Sequence, residues 1–210
     1  MEDSTPISVA LTNLGKYNEG CLAYKWLGLP ATTEQVQQAF REIGIDGIRY
    51  EEWFLSDYES TLIGVGGQIG EYSNLDELNY LATLITEMEP HEKQVFEAVA
   101  EWGDYTDSIK DLINVAHNLD IFYLDTEIHG TNDLGYSRQE EQGEQIRALL
   151  GSFPPYMKDE AAAITGYIKT LESNFNVERY GEGIESCEFG AYTEHGYITG
   201  GECITEHYDG

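Results

Sequence analysis

The stretch Leu14-Gly15-Lys16-Tyr17-Asn18-Glu19-Gly20 places a Gly-Lys pair in a glycine-bracketed turn just after the apolar run Ile7-Ser8-Val9-Ala10-Leu11. A turn of that kind can cradle phosphates on backbone N–H groups while a lysine reaches the outer phosphate. The spacing does not support it here. A nucleotide loop needs glycine five residues before Gly15, where Ala10 stands, and Ser or Thr after the lysine, where Tyr17 stands. Gly64, Gly66, Gly67 and Gly70 miss the dinucleotide fingerprint in the same way, because its third glycine falls on Ile69. Both clusters read as turn glycines. Lys16 and Lys25 read as local ion-pair partners, and Tyr17, Tyr24 and Trp26 as core or strand-packing residues.

Other chemistry-bearing patterns are weaker. No G-x-S-x-G or H-E-x-x-H motif occurs, nor a calcium loop of alternating acids before a glycine. Cys187, His195, Cys203 and His207 form a loose constellation near the C-terminus, and Cys203-x3-His207 has a possible ligand spacing. The close C-x-x-C knuckle is missing, so the reading is a buried thiol and exposed tail histidines, with no metal. Three widely spaced cysteines argue against a disulfide framework and for a reducing compartment.

The carboxylates remain. Across 210 residues, 39 Asp and Glu face 11 Lys and Arg, giving a net charge of −28. The charge divides as −6 over residues 1–70, −13 over 71–137 and −9 over 138–210, and Lys93 and Lys110 are the only bases of the middle part. Aromatics make up 12% of the chain, with fifteen Tyr, so the acidity belongs to folded surface and not to a disordered acidic tail. Such a field repels nucleic acid and anionic membrane and steers toward basic partners; direct nucleic-acid binding is not expected. With this many acids, adjacent pairs such as Glu51-Glu52 or Glu140-Glu141 do not by themselves mark acid–base catalysis.

Glu97, Glu101, Asp104 and Asp111 recur at three-, four- and seven-residue steps, with Gly103 a possible break between two helices. Neighbours at such steps on one helix lie about 5–6 Å apart on one face, while duplex DNA carries one charge per ~1.7 Å of axis. A base-poor surface decked with acids in this way can approximate a row of phosphates, although a charge run is more often a solvated helix face.

These groups must be positioned by an α+β chain in three parts. In the first, 1–70, Ile7–Leu11 reads as a strand, a helix starts near Thr32 or Thr33, and Ile48–Leu55 reads as a second strand. The glycine-rich stretch 63–70 is the best internal boundary. The second part, 71–137, reads as helices. Ser73 with Asp76 caps one through Leu75, Leu78, Leu81, Leu84 and Ile85, Pro90 opens another, and Asp104 or Thr106 caps a third through Ile109 and Leu112. Residues 119–136 leave helical periodicity. The third part, 138–210, offers two helices split by Pro154-Pro155, then a β-like end from Ile184 with a hairpin turn at His195-Gly196, and a short tail.

No run reaches the ~18–20 apolar residues of a membrane span, so no membrane role is expected. Met1-Glu2-Asp3-Ser4 is acidic where a secretory signal is basic and then apolar. The expectation is a soluble cytoplasmic chain.

Against this background "LTNLGKYNEG", followed by the tryptophan-containing strand "CLAYKWLGLP", resembles the ArdA family of antirestriction proteins, carried by plasmids, conjugative transposons and phages. The agreement continues through "SDYE" (56–59), "IGEYSNLDELNYLA" (69–82) and "NDLGY" (132–136), and more loosely through "YMKDEA" and "FNVERYGEGIE". The resemblance departs from the family pattern at Tyr180-Gly181-Glu182-Gly183 and in the tail "TGGECITEHYDG". It implies an elongated, modular protein with a small α/β N-terminal domain, a helical middle domain and an α/β C-terminal domain. It also implies a homodimer in the cytoplasm of a bacterial host that mimics bent B-form DNA in the groove of a type I restriction–modification enzyme, at its methyltransferase core and specificity subunit, with no cofactor and no catalysis.

The residues expected to stand in for phosphates are the acids of the middle part: Glu71, Asp76, Glu77, Glu87, Glu89, Glu97, Glu101, Asp104, Asp107, Asp111, Asp120, Asp125, Glu127 and Asp133. Glu51, Glu52, Asp57 and Glu59 extend them. Two other readings compete: an acidic protein directed at another DNA-binding defence or nucleoid protein, and a hydrolase using a carboxylate pair in a concave site with a raised carboxyl pKa.

Overall fold

A computed structural model describes residues 5–210 of the chain; the acidic Met1–Ser4 segment lies outside the described residues. Two units emerge, one formed by residues 1–124 with 200–210 and the other by 125–199. Helices and two small antiparallel sheets make a mixed α+β protein.

The first unit begins with β1 (Ile7–Asn13), flanked by β2 (Tyr24–Leu29) and β3 (Trp53–Ser60) in the antiparallel order β2-β1-β3. Val9 sits opposite Leu27 on one side and Tyr58 on the other. Ile7, Val9, Ala10 and Leu11 are all at most 1% exposed, so the central strand is buried on both faces and does not alternate. A one-turn helix, α1 (Leu14–Asn18), joins β1 to β2, with the Asn13 side chain accepting the Lys16 N–H at 2.9 Å. Helix α2 (Thr33–Ile43) packs on the sheet, opened by a Thr32/Gln35 capping box and closed by Gly44 at φ +82°.

The strand expected over 48–55 starts only at Trp53 and runs on to Ser60. The Asp46 carboxylate explains the delay. Its Oδ1 accepts the N–H groups of Ile48, Arg49 and Tyr50 at 2.8–3.0 Å, which folds 46–50 into a turn.

Three helices complete the unit: α3 (Leu75–Glu87), α4 (Pro90–Trp102) and α5 (Ile109–Ala116). Leu75, Leu78, Leu81, Ala82 and Ile85 form the buried stripe of α3. Its cap is Asn74, which accepts the Asp76 N–H at 2.9 Å, whereas Ser73 Oγ accepts the Gly70 N–H at 2.8 Å. Pro90 is the first residue of α4, as its type predicts. The cap of α5 is Ser108, not Asp104 or Thr106: Ser108 Oγ accepts the Asp111 N–H and donates to the Asp111 carboxylate at 2.7 Å. Thr106 is fully buried and unable to serve as a solvent-side cap.

The chain leaves the first unit within β4 (Phe122–Asp125). The second unit holds α6 (Thr131–Gly151), α7 (Lys158–Glu172), α8 (Val177–Glu185) and the strands β5 (Gly190–Thr193) and β6 (Gly196–Gly200), the last ending where the chain returns to the first unit. The break at Pro154-Pro155 falls where expected, and the hairpin turns at Glu194-His195, one residue before the expected pair, with Thr193 opposite Gly196 as the first residue of β6.

Two helical stretches differ from expectation. Helix α6 starts at Thr131, inside residues read as non-helical, and α8 occupies part of the end read as β-like. Both rest on one long-range contact. A Cβ at Gly135 would stand 2.3 Å from the Val177 carbonyl oxygen, and one at Gly181 would stand 1.9 Å from that of Thr131. Glycine at both positions lets α6 and α8 meet backbone to backbone, an arrangement that local periodicity does not report. Ile128, Leu134 and Tyr197 form the small core beside them, and Arg138 clamps Glu188 with two bonds of 2.9 and 3.1 Å.

Candidate partner-binding surface

The Gly-Lys turn that opens the chain is occupied by its own structure. Lys16 Nζ donates to the Ile43 carbonyl at 2.8 Å, so the lysine satisfies the C-terminal end of α2. Lys25 does pair, with Glu42 at 2.9 Å. Tyr17, Tyr24 and Trp26 are 54%, 51% and 38% exposed, a correction to their reading as core. The strand carrying two of them is an edge strand with one face in solvent, while Tyr17 packs edge-on against Phe54. All three thiols are exposed, against the buried thiol expected. Cys203 and His207 belong to the first unit and Cys187 and His195 to the second. Among the described residues no group of three or more His, Cys, Asp or Glu is placed to hold a metal.

The eighteen candidate carboxylates are all exposed or half-buried. Glu51 and Glu52 precede β3, and Asp57 and Glu59 stand two apart along it. Asp76 and Glu77 occupy the first turn of α3 and Asp111 that of α5, where the helix macrodipole favours anions. Glu97 and Glu101 lie one turn apart on α4, which ends at Gly103 with φ +88°. That glycine divides the row expected over 97–111: Asp104 and Asp107 sit in the α4–α5 link. Asp120 lies in a 3₁₀ turn before β4. Asp125, Glu127 and Asp133 belong to the second unit, while the other fifteen belong to the first.

Some of these acids hold structure locally. Glu97 accepts the Ile63 N–H at 3.2 Å, Asp125 accepts that of Glu127 at 3.0 Å, and Asp133 accepts that of His129 at 3.1 Å. The ion pairs of Lys25, Arg49, Lys110, Arg138 and Arg147 use Glu42, Glu19, Glu206, Glu188 and Glu172, all outside the candidate set.

Two acidic clefts gather candidates together. In the second unit Asp125, Glu127 and Asp133 share a cleft of about 470 Å³ with Glu140, Glu141 and Glu144 of α6. Those three glutamates were not in the predicted set. Their signal is the helical step Asp133, Ser137, Glu140, Glu144, which becomes visible once α6 is known to begin at Thr131. In the first unit Asp104, Asp107 and Asp111 line a cleft of about 320 Å³, joined by Glu206 from the C-terminal segment.

A larger concavity, about 1310 Å³ beside β2 and α2, is different in kind. Lys25, Arg41 and Lys93 line it together with Glu34, Glu42 and Glu97. The hydrolase reading requires a carboxyl pKa raised by its site. Here Glu42 is lowered by its hydrogen bond from Lys25, and elsewhere in the unit Glu19 is lowered by the Tyr50 hydroxyl and Asp46 by the Tyr50 N–H. Each shift favours a charged acid and none supplies a proton donor near neutral pH.

A family model described as antirestriction protein (ArdA) matches residues 9–199. The match covers nearly the whole chain of 210 residues, and the chain belongs to the ArdA antirestriction family. No curated protein matches it significantly.

Proposed function

We propose that this antirestriction protein is an acidic mimic of B-form DNA that docks in the DNA groove of type I restriction–modification enzymes and keeps DNA out. Lys and Arg that normally hold phosphates are satisfied instead by carboxylates at the methyltransferase core and specificity subunit. The observation that carries this reading is the solvent access of all eighteen candidate acids. An enzyme channel lined with bases thus meets carboxylates that it can reach. Neither a cofactor nor catalysis enters this mechanism, and it runs in the cytoplasm of a bacterial host.

The active form in this proposal is a homodimer. Helix α7 has no buried residue, and Ile164, Tyr167 and Leu171 recur along one side of it at helical spacing, 41%, 73% and 69% exposed. An unpaired apolar stripe of that kind fits a second copy. The division into modules 1–70, 71–137 and 138–210 belongs to the same proposal, and limited proteolysis is expected to cut within 63–70.

The test is ATP-dependent cleavage of an unmodified plasmid by a type I enzyme. Stoichiometric protein is expected to protect the plasmid. Full cleavage at stoichiometric excess overturns the reading, and capture of a nucleoid or other defence protein in its place favours a different target for the same acidic surface.

A further inference from the structure

Residues 200–210 lie beyond the family match and fold back onto the first unit. Asn114 on α5 and Asn118, two residues past the end of that helix, hold their backbone. Asn114 accepts the N–H groups of His207 and Tyr208 on Oδ1 at 2.7 and 2.9 Å and donates from Nδ2 to the Tyr208 carbonyl at 3.0 Å. Asn118 accepts the Thr205 N–H at 3.0 Å and donates to the Thr205 carbonyl at 2.9 Å. With the segment in place the two amides are 5% and 4% exposed, and their remaining donor bonds go to the carbonyls of Lys110 and Asn114. This is a built site for extended backbone, and its occupant is the chain's own C-terminal segment.

That attachment places charge. Lys110, one turn before Asn114, pairs with Glu206 at 2.9 Å and donates to the Asp209 carbonyl at 3.1 Å. Lys110 is one of only two bases among residues 71–137. Glu206 also walls the cleft that holds Asp104, Asp107 and Asp111. The Tyr208 ring packs against Tyr80 with centroids 5.9 Å apart, and His207 against His117 at 5.4 Å, which fixes the segment from its other side.

We propose that residues 200–210 are an anionic strap, bound in cis through Asn114 and Asn118, that cancels Lys110 and extends the acidic surface presented to the restriction enzyme's basic channel. The proposal rests on the DNA-mimic reading. The strap brings Glu206 and Asp209 to Lys110, whose charge would otherwise repel a basic partner.

The test compares three full-length proteins by the concentration that half-inhibits type I cleavage: the unaltered chain, Glu206→Gln with Asp209→Asn, and the same double substitution with Lys110→Gln. The double substitution is expected to raise that concentration about three- to tenfold, the size of a few exposed charge contacts, and Lys110→Gln to recover part of the loss. Amide hydrogen exchange at Thr205, His207 and Tyr208, protected in all three, checks that the strap stays bound. Equal inhibition by the unaltered and doubly substituted proteins overturns the strap's role, as does a loss that Lys110→Gln leaves unchanged. Failure of the unaltered chain to inhibit overturns the DNA-mimic reading itself, and the strap's role with it.

Discussion

Asn79 on α3 holds both backbone groups of Ala31: its Oδ1 accepts the Ala31 N–H at 2.7 Å and its Nδ2 donates to the Ala31 carbonyl at 3.1 Å. One side chain therefore ties the β2–α2 connection to the helical part of the same unit. Replacing it with alanine removes two bonds and leaves the buried Ala31 amide group without that partner. Asn79→Ala is expected to cost about 1–3 kcal/mol, read as a lower urea midpoint for the first unit. An unchanged midpoint would show that water replaces the amide without loss.

The Asp46 turn makes the first unit sensitive to acid. The Asp46 carboxyl is lowered below its usual 3.8, first by the Tyr50 N–H and then by those of Ile48 and Arg49. Glu19 is lowered below 4.5 by the Tyr50 hydroxyl and then by Arg49. A carboxyl lowered on folding stabilises above its ordinary value and loses that contribution as pH falls through the folded value. The turn should loosen below about pH 4, seen as titrating amide signals of Ile48, Arg49 and Tyr50. Asp46→Asn should flatten that transition.

At the alkaline end Tyr197 governs the second unit. Its hydroxyl is buried, has no hydrogen-bond partner among the described residues, and is raised to about 12, first by burial and then by Glu188. A phenol raised on folding stabilises below its ordinary value of 10 and loses that contribution as pH rises through the folded value. Tyr197→Phe removes an unsatisfied polar atom, so its melting temperature at pH 7 should match or exceed that of the unaltered chain, with a shallower decline between pH 10 and 12. A clear loss at pH 7 would reveal a partner for the hydroxyl.

The stripe on α7 predicts the oligomeric state. Tyr167→Lys with Leu171→Lys places charge on the proposed dimer face, and sedimentation equilibrium should report a monomer where the unaltered chain gives a dimer. A dimer that survives both changes would move the interface elsewhere.

Much of this fold is legible locally. Thr32 with Gln35 opens α2 and Pro90 opens α4, because each acts within a few residues, and the final hairpin turns at Glu194-His195, one residue from the pair read as its turn. What escaped depends on distant contacts. The Gly135–Gly181 approach joins helices that start or end in stretches whose periodicity is not helical, and Asp46 withholds five residues from a strand that their types favour. The candidate surface follows the same division. Acids were legible as a class, but Glu140 and Glu144, on a stretch that already reads as helical, join Asp133 only once α6 is seen to start at Thr131, and Glu206 joins only because Asn114 and Asn118 bring the tail to α5.

The DNA-mimic account makes inhibition a matter of many small charge terms in a competition with DNA. A single change such as Asp107→Asn is expected to matter little, whereas neutralising Glu71, Asp76, Asp104 and Asp107 together should weaken inhibition about fourfold or more, at about 0.2–1 kcal/mol for each exposed charge. Exposed charges are screened beyond ~8–10 Å near physiological ionic strength, so inhibition should also fall as salt rises. The most direct measurement is the half-inhibiting concentration of the unaltered protein against a type I enzyme as unmodified DNA is increased. The account predicts that this concentration climbs in proportion to DNA once DNA saturates the enzyme. A value independent of DNA would contradict it, because an inhibitor seated outside the DNA groove does not compete for it.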